Sequence, residues 1–258
     1  MSTDILPSSK VLLPASGLLN FSGFDLEGTL DAEELSKEFA ANGRVLVPRI
    51  LPSDCAMALS EMLAAECEWG LSLEAGCAGR RFLHASVRRG LSQLQLREIF
   101  DAAYSDGGRH FSHLYENISL ANYHDKRSRP GVLYTRFLEF VNSDTFLQFA
   151  RTVSGIDALR VATAVACRYW RGHFYAAHVD QNGGQGHRAS FVFNLTPAWE
   201  PQWGGLLQFR GKKGDVEEAY LPRFNSLSLF LASQPHSVSL VSAWAPHPRL
   251  SIAGALSV

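Results

Sequence analysis

Residues 173–184 read HFYAAHVDQNGG, and they contain the only His-x-Asp/Glu triplet of the chain, His178-Val179-Asp180. Gly172 precedes this stretch and Asn182-Gly183-Gly184 closes it, which argues against a helix and predicts a strand end beside a turn. Side chains two apart on a strand point to the same face, so His178 and Asp180 are able to bind one metal ion together. The alternative is a surface histidine and aspartate at a strand end.

A third candidate ligand, His236, follows 58 residues after His178. The apolar runs 227–231 and 238–240 flank it, which predicts a histidine that points into a core and needs a polar partner there. A simple turn at Pro235-His236 is the alternative. Two imidazoles and one carboxylate that leave coordination positions open form the ligand set of non-haem Fe(II) sites. The ordered set therefore predicts a metal centre.

Arg249 lies thirteen residues after His236, on the same face of a predicted strand as Ser251. An arginine that faces a core is costly unless an anion meets it, and a guanidinium binds a carboxylate through two parallel hydrogen bonds. The pair therefore predicts an anion site, to which the phenol of Tyr169 is a candidate contributor. The alternatives are an arginine that reaches solvent and a tyrosine that only fills the core.

The composition excludes several classes of protein. The chain has 258 residues, 46% hydrophobic and 19% charged, with a formal net charge of −1, so no basic footprint for nucleic acid or membrane is expected. No apolar run approaches the ~18–20 residues that a membrane helix needs. Residues 1–10 are polar and lack the order of a signal peptide. A cytoplasmic protein is expected, with reduced thiols at Cys55, Cys67, Cys77 and Cys167.

The organisation of the chain changes near residue 155, from helical periodicity to strand patterns. Helices are expected from Asp31 to Asn42, Ser53 to about Trp69, Ser92 to about Ser105, and Ser143 to Val153. A short strand is expected at 44–48, loop and strand at 70–90, and a long lid or binding loop at 110–131. Further strands are expected at 161–170, 187–195, 205–209, 226–232, 238–244 and 250–255. This order predicts a single domain over 1–258, with helix-rich support at 1–155 and a jelly-roll core at 156–258.

The motif order as a whole resembles the 2-oxoglutarate- and Fe(II)-dependent dioxygenases, and most closely their prolyl-hydroxylase-like branch. The residues that carry the resemblance are Tyr169, His178-Val179-Asp180, Trp203–Leu207, Asn225–Leu227, Pro235–Val238 and Arg249–Ser251. It is strongest over 160–258 and looser over 31–68 and 140–155. The resemblance implies a mainly β fold, with a double-stranded β-helix (cupin-like jelly-roll) core supported by N-terminal α-helices.

The resemblance also implies roles for individual residues. His178, Asp180 and His236 would bind Fe(II), and Arg249 would bind the distal carboxylate of 2-oxoglutarate. Further contacts to this cosubstrate are implied for Ser251, Tyr169 and Asn194. The implied cofactors are Fe(II), 2-oxoglutarate as cosubstrate and O₂, with ascorbate as a supporting reductant. The carboxylate at position 180 argues against halogenation, because the halogenases of this superfamily have a small residue there.

The implied activity is hydroxylation of an aliphatic C–H group with release of succinate and CO₂. A prolyl or similar residue, free or within a peptide or protein, is the expected substrate, and no nucleic-acid or membrane partner is expected. Loop 110–131 and turn 181–188 are candidate substrate contacts. Two alternatives remain open: a cupin-type metalloenzyme that does not use 2-oxoglutarate, and a non-catalytic jelly-roll that binds a ligand or senses O₂ or iron. The complete ligand set together with Arg249 argues against the second.

Overall fold

The structure is a computed structural model, and it describes residues 23–75, 79–107, 110–180 and 186–258. The helices in these ranges are α1 (Ala32–Asn42), α2 (Ser53–Ala65), α3 (Ala85–Arg89), α4 (Gln93–Gly107), α5 (Arg129–Val141) and α6 (Asp144–Ser154). The strands are β1 (Arg44–Pro48), β2 (Gly70–Ala75), β3 (Arg80–Leu83), β4 (Ser112–Ser119), β5 (Val161–Tyr169), β6 (Phe174–His178), β7 (His187–Asn194), β8 (Leu207–Arg210), β9 (Val216–Tyr220), β10 (Ser226–Leu231), β11 (His236–Val238) and β12 (Arg249–Ser257).

The strands form an antiparallel sheet that folds into a nearly closed barrel. Its order is β1-β10-β7-β12-β5-β4-β6-β11-β8-β9, with β2 joined to β4 and β3 joined to β2. The β6-β11-β8-β9 part folds back over β7 and β10, because Phe209 on β8 packs in one buried cluster with Val192 and Phe230. An ion pair between Arg44 on β1 and Glu218 on β9 joins the two ends of the sheet. The double-stranded β-helix predicted from the sequence is confirmed.

Helices cover the outer face of the barrel because alternate residues of its strands are large and apolar. On β7, Phe191 and Phe193 point outward and pack against Phe146 of α6, and Phe137 of α5 packs against Phe193. Burying each such ring contributes roughly 1.5–3 kcal/mol. The other face of β7, with Val192 between polar residues, points into the barrel. The inward face of β7 is therefore the more polar one, and the helices pack on the outward face.

The predicted helix ends at α1 and α6 are confirmed by their caps. The Asp31 carboxylate accepts hydrogen bonds from two backbone N–H groups of the first turn of α1, and Gly43 ends that helix in the left-handed conformation. Ser143 accepts one such hydrogen bond at the start of α6, and Gly155 ends α6 in the left-handed conformation. These signals are local, since each cap needs only residues within one turn of the helix end.

The predicted end of α2 near Trp69 is wrong. The helix stops at Ala65 because Glu66 leaves it with an extended backbone, ψ 137°. The Glu66 carboxylate accepts hydrogen bonds from the next two backbone N–H groups and from the hydroxyls of Tyr123 and Tyr134. The chain then runs extended into β2, and Trp69 is fully buried.

The lid or binding loop predicted at 110–131 is also wrong, because residues 112–119 form strand β4 in the middle of the sheet, between β5 and β6. Short turns and the start of α5 follow β4. Helices α3 and α5 and strand β9 were not predicted, and 239–248 is irregular where a strand to residue 244 was expected.

Strands from both halves of the chain build the same sheet. β1, β2, β3 and β4 precede residue 156, and β4 pairs with β5 and β6 of the second half. The helix-rich part and the jelly-roll core therefore share one sheet. Within the described ranges, the helices are all too short or too polar to span a membrane.

Candidate functional site

The two histidines and the aspartate of the predicted metal set lie together at one end of the barrel. His178 ends β6 and pairs across the sheet with His236, the first residue of β11. The His178 Nε2 atom is 3.2 Å from Asp180 Oδ1, and His236 Nε2 is 3.6 Å from Asp180 Oδ2. One ligand atom of each residue lies within 4.8 Å of the other two. One metal ion is able to contact all three.

Backbone carbonyls fix the tautomers of both histidines. The Nδ1 atom of His178 is 2.9 Å from the carbonyl oxygen of Ala176, and Nδ1 of His236 is 2.9 Å from that of Gln234. A carbonyl oxygen only accepts, so each Nδ1 carries the proton and donates it. Each Nε2 then has a free lone pair that points toward Asp180, which is the arrangement of metal-binding histidines.

Asp180 is held in its ionised form. Burial alone raises the pKa of its carboxyl. In the acid range where this carboxyl titrates, the hydrogen bond from the imidazolium form of His178, the charge of the imidazolium form of His236 and the Ser190 hydroxyl outweigh burial and lower the pKa to about 2. Ser190 on β7 donates to Asp180 Oδ2 over 2.6 Å. The backbone N–H of Asp180 also donates to the carbonyl of Ala232. The carboxylate is thus available to a cation at neutral pH.

A cavity of about 260 Å³ extends from these three residues into the barrel. Its lining includes the aromatic and polar residues Tyr115, Tyr169, Tyr175, Cys167, Arg249 and Ser251. It also includes smaller or apolar residues, Thr163, Val165, Val192, Leu207, Ala253 and Ala255. The metal candidates and the predicted anion site therefore open into the same cavity.

Arg249 is the buried cation of this cavity, with 2% of its surface exposed. Its Nη2 donates to Asn194 Oδ1 over 3.4 Å, while Nε and Nη1 have no hydrogen-bond partner among the described residues. Burial lowers the pKa of the guanidinium, and the described residues place no carboxylate in an ion pair with it. A buried arginine without a counter-charge fits an incoming carboxylate. The cavity therefore fits 2-oxoglutarate, as the His178–Asp180–His236 set fits Fe(II).

The other residues predicted to contact the cosubstrate lie around Arg249. Tyr169 is directly opposite it on β5, with the guanidinium carbon 5.3 Å from the ring centroid. Ser251 lines the cavity, whereas Asn194 lies behind Arg249 and does not line it. The structure thus brings all four residues together and places Asn194 one layer further from the cavity.

Three residues of the site carry no signal that the sequence analysis used. Ser190 orients Asp180, the Tyr175 ring lies 4.1 Å from the His178 ring, and Tyr115 stacks on Tyr169 at 5.2 Å. Tyr115 belongs to β4, and the loop predicted for that segment gave no strand register from which to place its side chain. Of the candidate turn 181–188, residues 181–185 lie outside the described residues, and His187 lines the cavity.

Comparison with known proteins gives a consistent result. Residues 164–257 match the sequence profile of the 2OG-Fe(II) oxygenase superfamily, and they contain every predicted ligand and anion-site residue. No curated protein sequence matches the chain.

Solved structures share the fold. A Pseudomonas putida prolyl-4-hydroxylase is 19% identical with a TM-score of 0.56, over 88% of this chain and 99% of that one. A Trichoplax adhaerens prolyl hydroxylase, solved with a peptide fragment of the hypoxia inducible factor oxygen degradation domain, is 18% identical with a TM-score of 0.56, over 88% and 90%. A 2OG-Fe(II) oxygenase family oxidoreductase from Burkholderia pseudomallei is 14% identical with a TM-score of 0.57, over 91% and 93%.

Proposed function

Because the chain belongs to the 2OG-Fe(II) oxygenase superfamily through residues 164–257, we propose that this 2-oxoglutarate-dependent dioxygenase hydroxylates an aliphatic C–H group of a prolyl or similar residue. Succinate and CO₂ are the coproducts. The observation that carries the proposal is the buried Arg249, without a counter-charge among the described residues, in the same cavity as the His178–Asp180–His236 set.

The residues of the chain have distinct parts in this reaction. His178, Asp180 and His236 hold Fe(II), which together with 2-oxoglutarate and O₂ supplies the oxidising chemistry. Hydrogen bonds from the Nδ1–H groups of the two histidines to backbone carbonyls orient the imidazoles, and the Ser190 hydroxyl orients Asp180, before a metal binds. Arg249 binds the far carboxylate of 2-oxoglutarate, and the burial of Arg249 keeps water away from it.

Asp180 favours hydroxylation over halogenation. A carboxylate in this place would fill, with its own negative charge, the metal coordination position that a halide ligand requires. Its pKa of about 2 means that it stays charged throughout the pH range in which the protein would work. The Ser190 hydrogen bond keeps the carboxylate at the metal position.

The residues near His178 support an uncharged, compact substrate group. Phe111, which is 36% exposed, lies 5.8 Å from the His178 ring, and the tilted Tyr175 ring lies 4.1 Å from it. The cross-strand neighbours Thr163 and Ala255 have small side chains that also line the cavity. A compact aliphatic ring fits a cavity lined by aromatic rings and small side chains. The Trichoplax prolyl hydroxylase solved with a peptide supports a proline within a peptide as the first substrate to test.

Succinate formation tests the proposal. The purified protein is incubated with Fe(II), ascorbate and 2-oxoglutarate, alone and with free proline or a panel of proline-containing peptides, and succinate and oxygen incorporation are measured by mass spectrometry. We expect succinate in every wild-type reaction, more with a substrate, and a product that gains one oxygen atom. No metal-dependent succinate with any member of the panel would contradict the proposal.

Two variants separate the proposal from the alternative of a metalloenzyme that does not use 2-oxoglutarate. His178→Ala removes a metal ligand and should abolish succinate formation. Arg249→Ala should reduce it strongly at low 2-oxoglutarate concentration. Loss in His178→Ala combined with full activity in Arg249→Ala would make Arg249 a structural residue and refute its cosubstrate role.

A further inference from the structure

We propose that Asn194 is a positioning residue for the Arg249 guanidinium and makes no direct contact with 2-oxoglutarate. The inference rests on the proposed function of Arg249 and adds a network behind it, formed by Asn194, Ser226 and Ser228. All four side chains are buried, with 1–2% of their surfaces exposed. The network fixes the donor arrangement that the cosubstrate carboxylate meets.

The hydroxyl of Ser226 determines which way the Asn194 amide faces. Ser226 Oγ donates its only proton to the carbonyl oxygen of Arg223 over 2.7 Å, so toward Asn194 it acts as an acceptor. The Asn194 NH₂ group therefore faces Ser226 Oγ at 3.2 Å and Ser228 Oγ at 3.4 Å. The amide oxygen must then point the other way, toward Arg249 Nη2 at 3.4 Å.

The register of the sheet explains why this network reaches Arg249. Asn194 on β7 pairs with Ser226 on β10 and with Ser251 on β12. Because paired residues point to the same face, the side chains at these positions form a polar row across the inner face of the barrel. Arg249 is two residues before Ser251 on the same face, so its guanidinium lies within reach of the Asn194 amide.

The consequence is a guanidinium with one nitrogen held by the protein and two left for a ligand. Asn194 occupies Nη2, while Nε and Nη1 have no partner among the described residues. An arginine that is oriented in advance loses less conformational freedom when its ligand binds. Asn194 does not line the cavity, so its effect on a carboxylate ligand must pass through Arg249.

Calorimetric titration of 2-oxoglutarate into the Mn(II)-loaded protein measures this effect without turnover. We expect Asn194→Ala to weaken 2-oxoglutarate binding about tenfold, which corresponds to about 1.4 kcal/mol and to one hydrogen bond to a charged group. The affinity for Mn(II) itself should stay within about twofold of wild type. Unchanged 2-oxoglutarate affinity in Asn194→Ala would overturn the proposal.

A double-mutant cycle separates positioning from direct contact. Arg249→Gln alone should weaken 2-oxoglutarate binding more than Asn194→Ala does. In the Arg249→Gln background, Asn194→Ala should have no further effect, because the residue through which it acts is gone. An equal additional loss in that background would show direct contact and refute the positioning role. If Arg249→Gln binds 2-oxoglutarate as wild type does, the cosubstrate role of Arg249 fails, and that outcome is distinct.

Asn225→Gly is the matched control. Asn225 is another buried asparagine next to the network, but its amide bonds to the backbone of Leu51. Its φ of 54° suits glycine, so the substitution removes two hydrogen bonds without backbone strain. It should lower the stability of the fold and leave 2-oxoglutarate affinity unchanged. If Asn194→Ala fails to fold, Ser226→Ala provides the test, with a smaller loss of affinity expected and none in the Arg249→Gln background.

Discussion

Arg249 and Tyr169 face each other across the β5–β12 strand pair, with the guanidinium carbon 5.3 Å from the centre of the phenol ring. The ring covers one face of a buried cation that has no ion pair among the described residues. Another, partly buried arginine, Arg168, precedes Tyr169 on β5 but faces the other side of the sheet, where it pairs with Glu116 over 2.5 Å. The two arginines differ in their counter-charge, and this difference predicts opposite responses to substitution.

Replacement of Arg249 by methionine should stabilise the metal-free, ligand-free protein. Removing a buried charge that lacks a partner avoids its desolvation cost, and we expect a gain of up to about 1–4 kcal/mol, as measured when buried ionic groups are replaced by apolar side chains. The free energy of unfolding in urea is the measurement. Arg168→Met is the control and should destabilise, because it leaves Glu116 with Arg88 as its one remaining cation. A stability loss of several kcal/mol in Arg249→Met would show that an internal partner compensates the charge.

Binding of 2-oxoglutarate should stabilise the wild-type fold and not the Arg249→Met variant. A ligand present at a hundred times its dissociation constant adds about 2.7 kcal/mol to the free energy of unfolding. Thermal denaturation with Mn(II), in the presence and absence of 2-oxoglutarate, measures the shift. An equal shift in both proteins would place the ligand elsewhere.

Ser190→Ala should weaken metal binding with little effect on the fold. The variant removes the hydroxyl that donates to Asp180 Oδ2, and loss of such a supporting hydrogen bond typically costs ~10–100-fold in metal affinity. Titration with Mn(II) gives the dissociation constant. Ser112→Ala is the control, since this buried hydroxyl shares its one proton between the carbonyls of Glu74 and Ala103, away from the site. Ser112→Ala should lower the stability of the fold and leave Mn(II) affinity unchanged. Similar Mn(II) affinities in the two variants would contradict the role of Ser190.

The stability of the protein should fall as the pH decreases from about 6.5 toward 3, and His113 should account for part of the fall. Burial, together with the positive charges of Arg80 and His178, lowers the pKa of His113 to about 3. Between that value and the ordinary pKa of 6.5, the unfolded chain binds a proton that the folded protein does not, so acid favours unfolding. The expected contribution is up to about 1.4 kcal/mol per pH unit.

Urea unfolding of wild type and His113→Gln at pH 7.5, 6 and 5 isolates this contribution. The second buried histidine, His173, whose burial lowers its pKa to about 4, titrates equally in both proteins and cancels in the comparison. The variant should show a shallower dependence on pH. Parallel curves would mean that His113 is protonated in the folded state, with Glu74, 3.7 Å from its Nδ1, as the partner.

Features with a local cause were predictable from the sequence. The caps at Asp31 and Ser143 depend on neighbouring residues, and the strand end at His178 follows from the turn residues around it. The convergence of His178 and His236 followed from motif order, although the two residues are 58 positions apart. The helix caps, the strand end and the pair of histidines all depend on residue types that have few other roles at these positions.

Features with a distant cause were not predictable. The polar and aromatic residues of β4 are typical of a surface loop. The Glu116 carboxylate on β4 is nevertheless buried, because it forms ion pairs with Arg88 and Arg168 from separate parts of the chain. The early end of α2 depends on the Tyr123 and Tyr134 hydroxyls, which lie more than fifty residues later. The placement of Asn194 behind Arg249 depends on hydroxyls from β10. In each case the partner comes from a distant part of the chain and not from neighbouring residues.

Anaerobic titration of the Fe(II)-loaded protein with 2-oxoglutarate tests the central claim most directly, because it requires the metal ligands and Arg249 to act on one bound molecule. In the wild type, a visible charge-transfer absorption should develop and saturate at one equivalent of 2-oxoglutarate per iron. Asp180→Ala should lose it through weak metal binding, and Arg249→Gln should need a much higher 2-oxoglutarate concentration to reach it. No absorption change in an iron-loaded wild-type protein would contradict the assignment of this cavity to Fe(II) and 2-oxoglutarate.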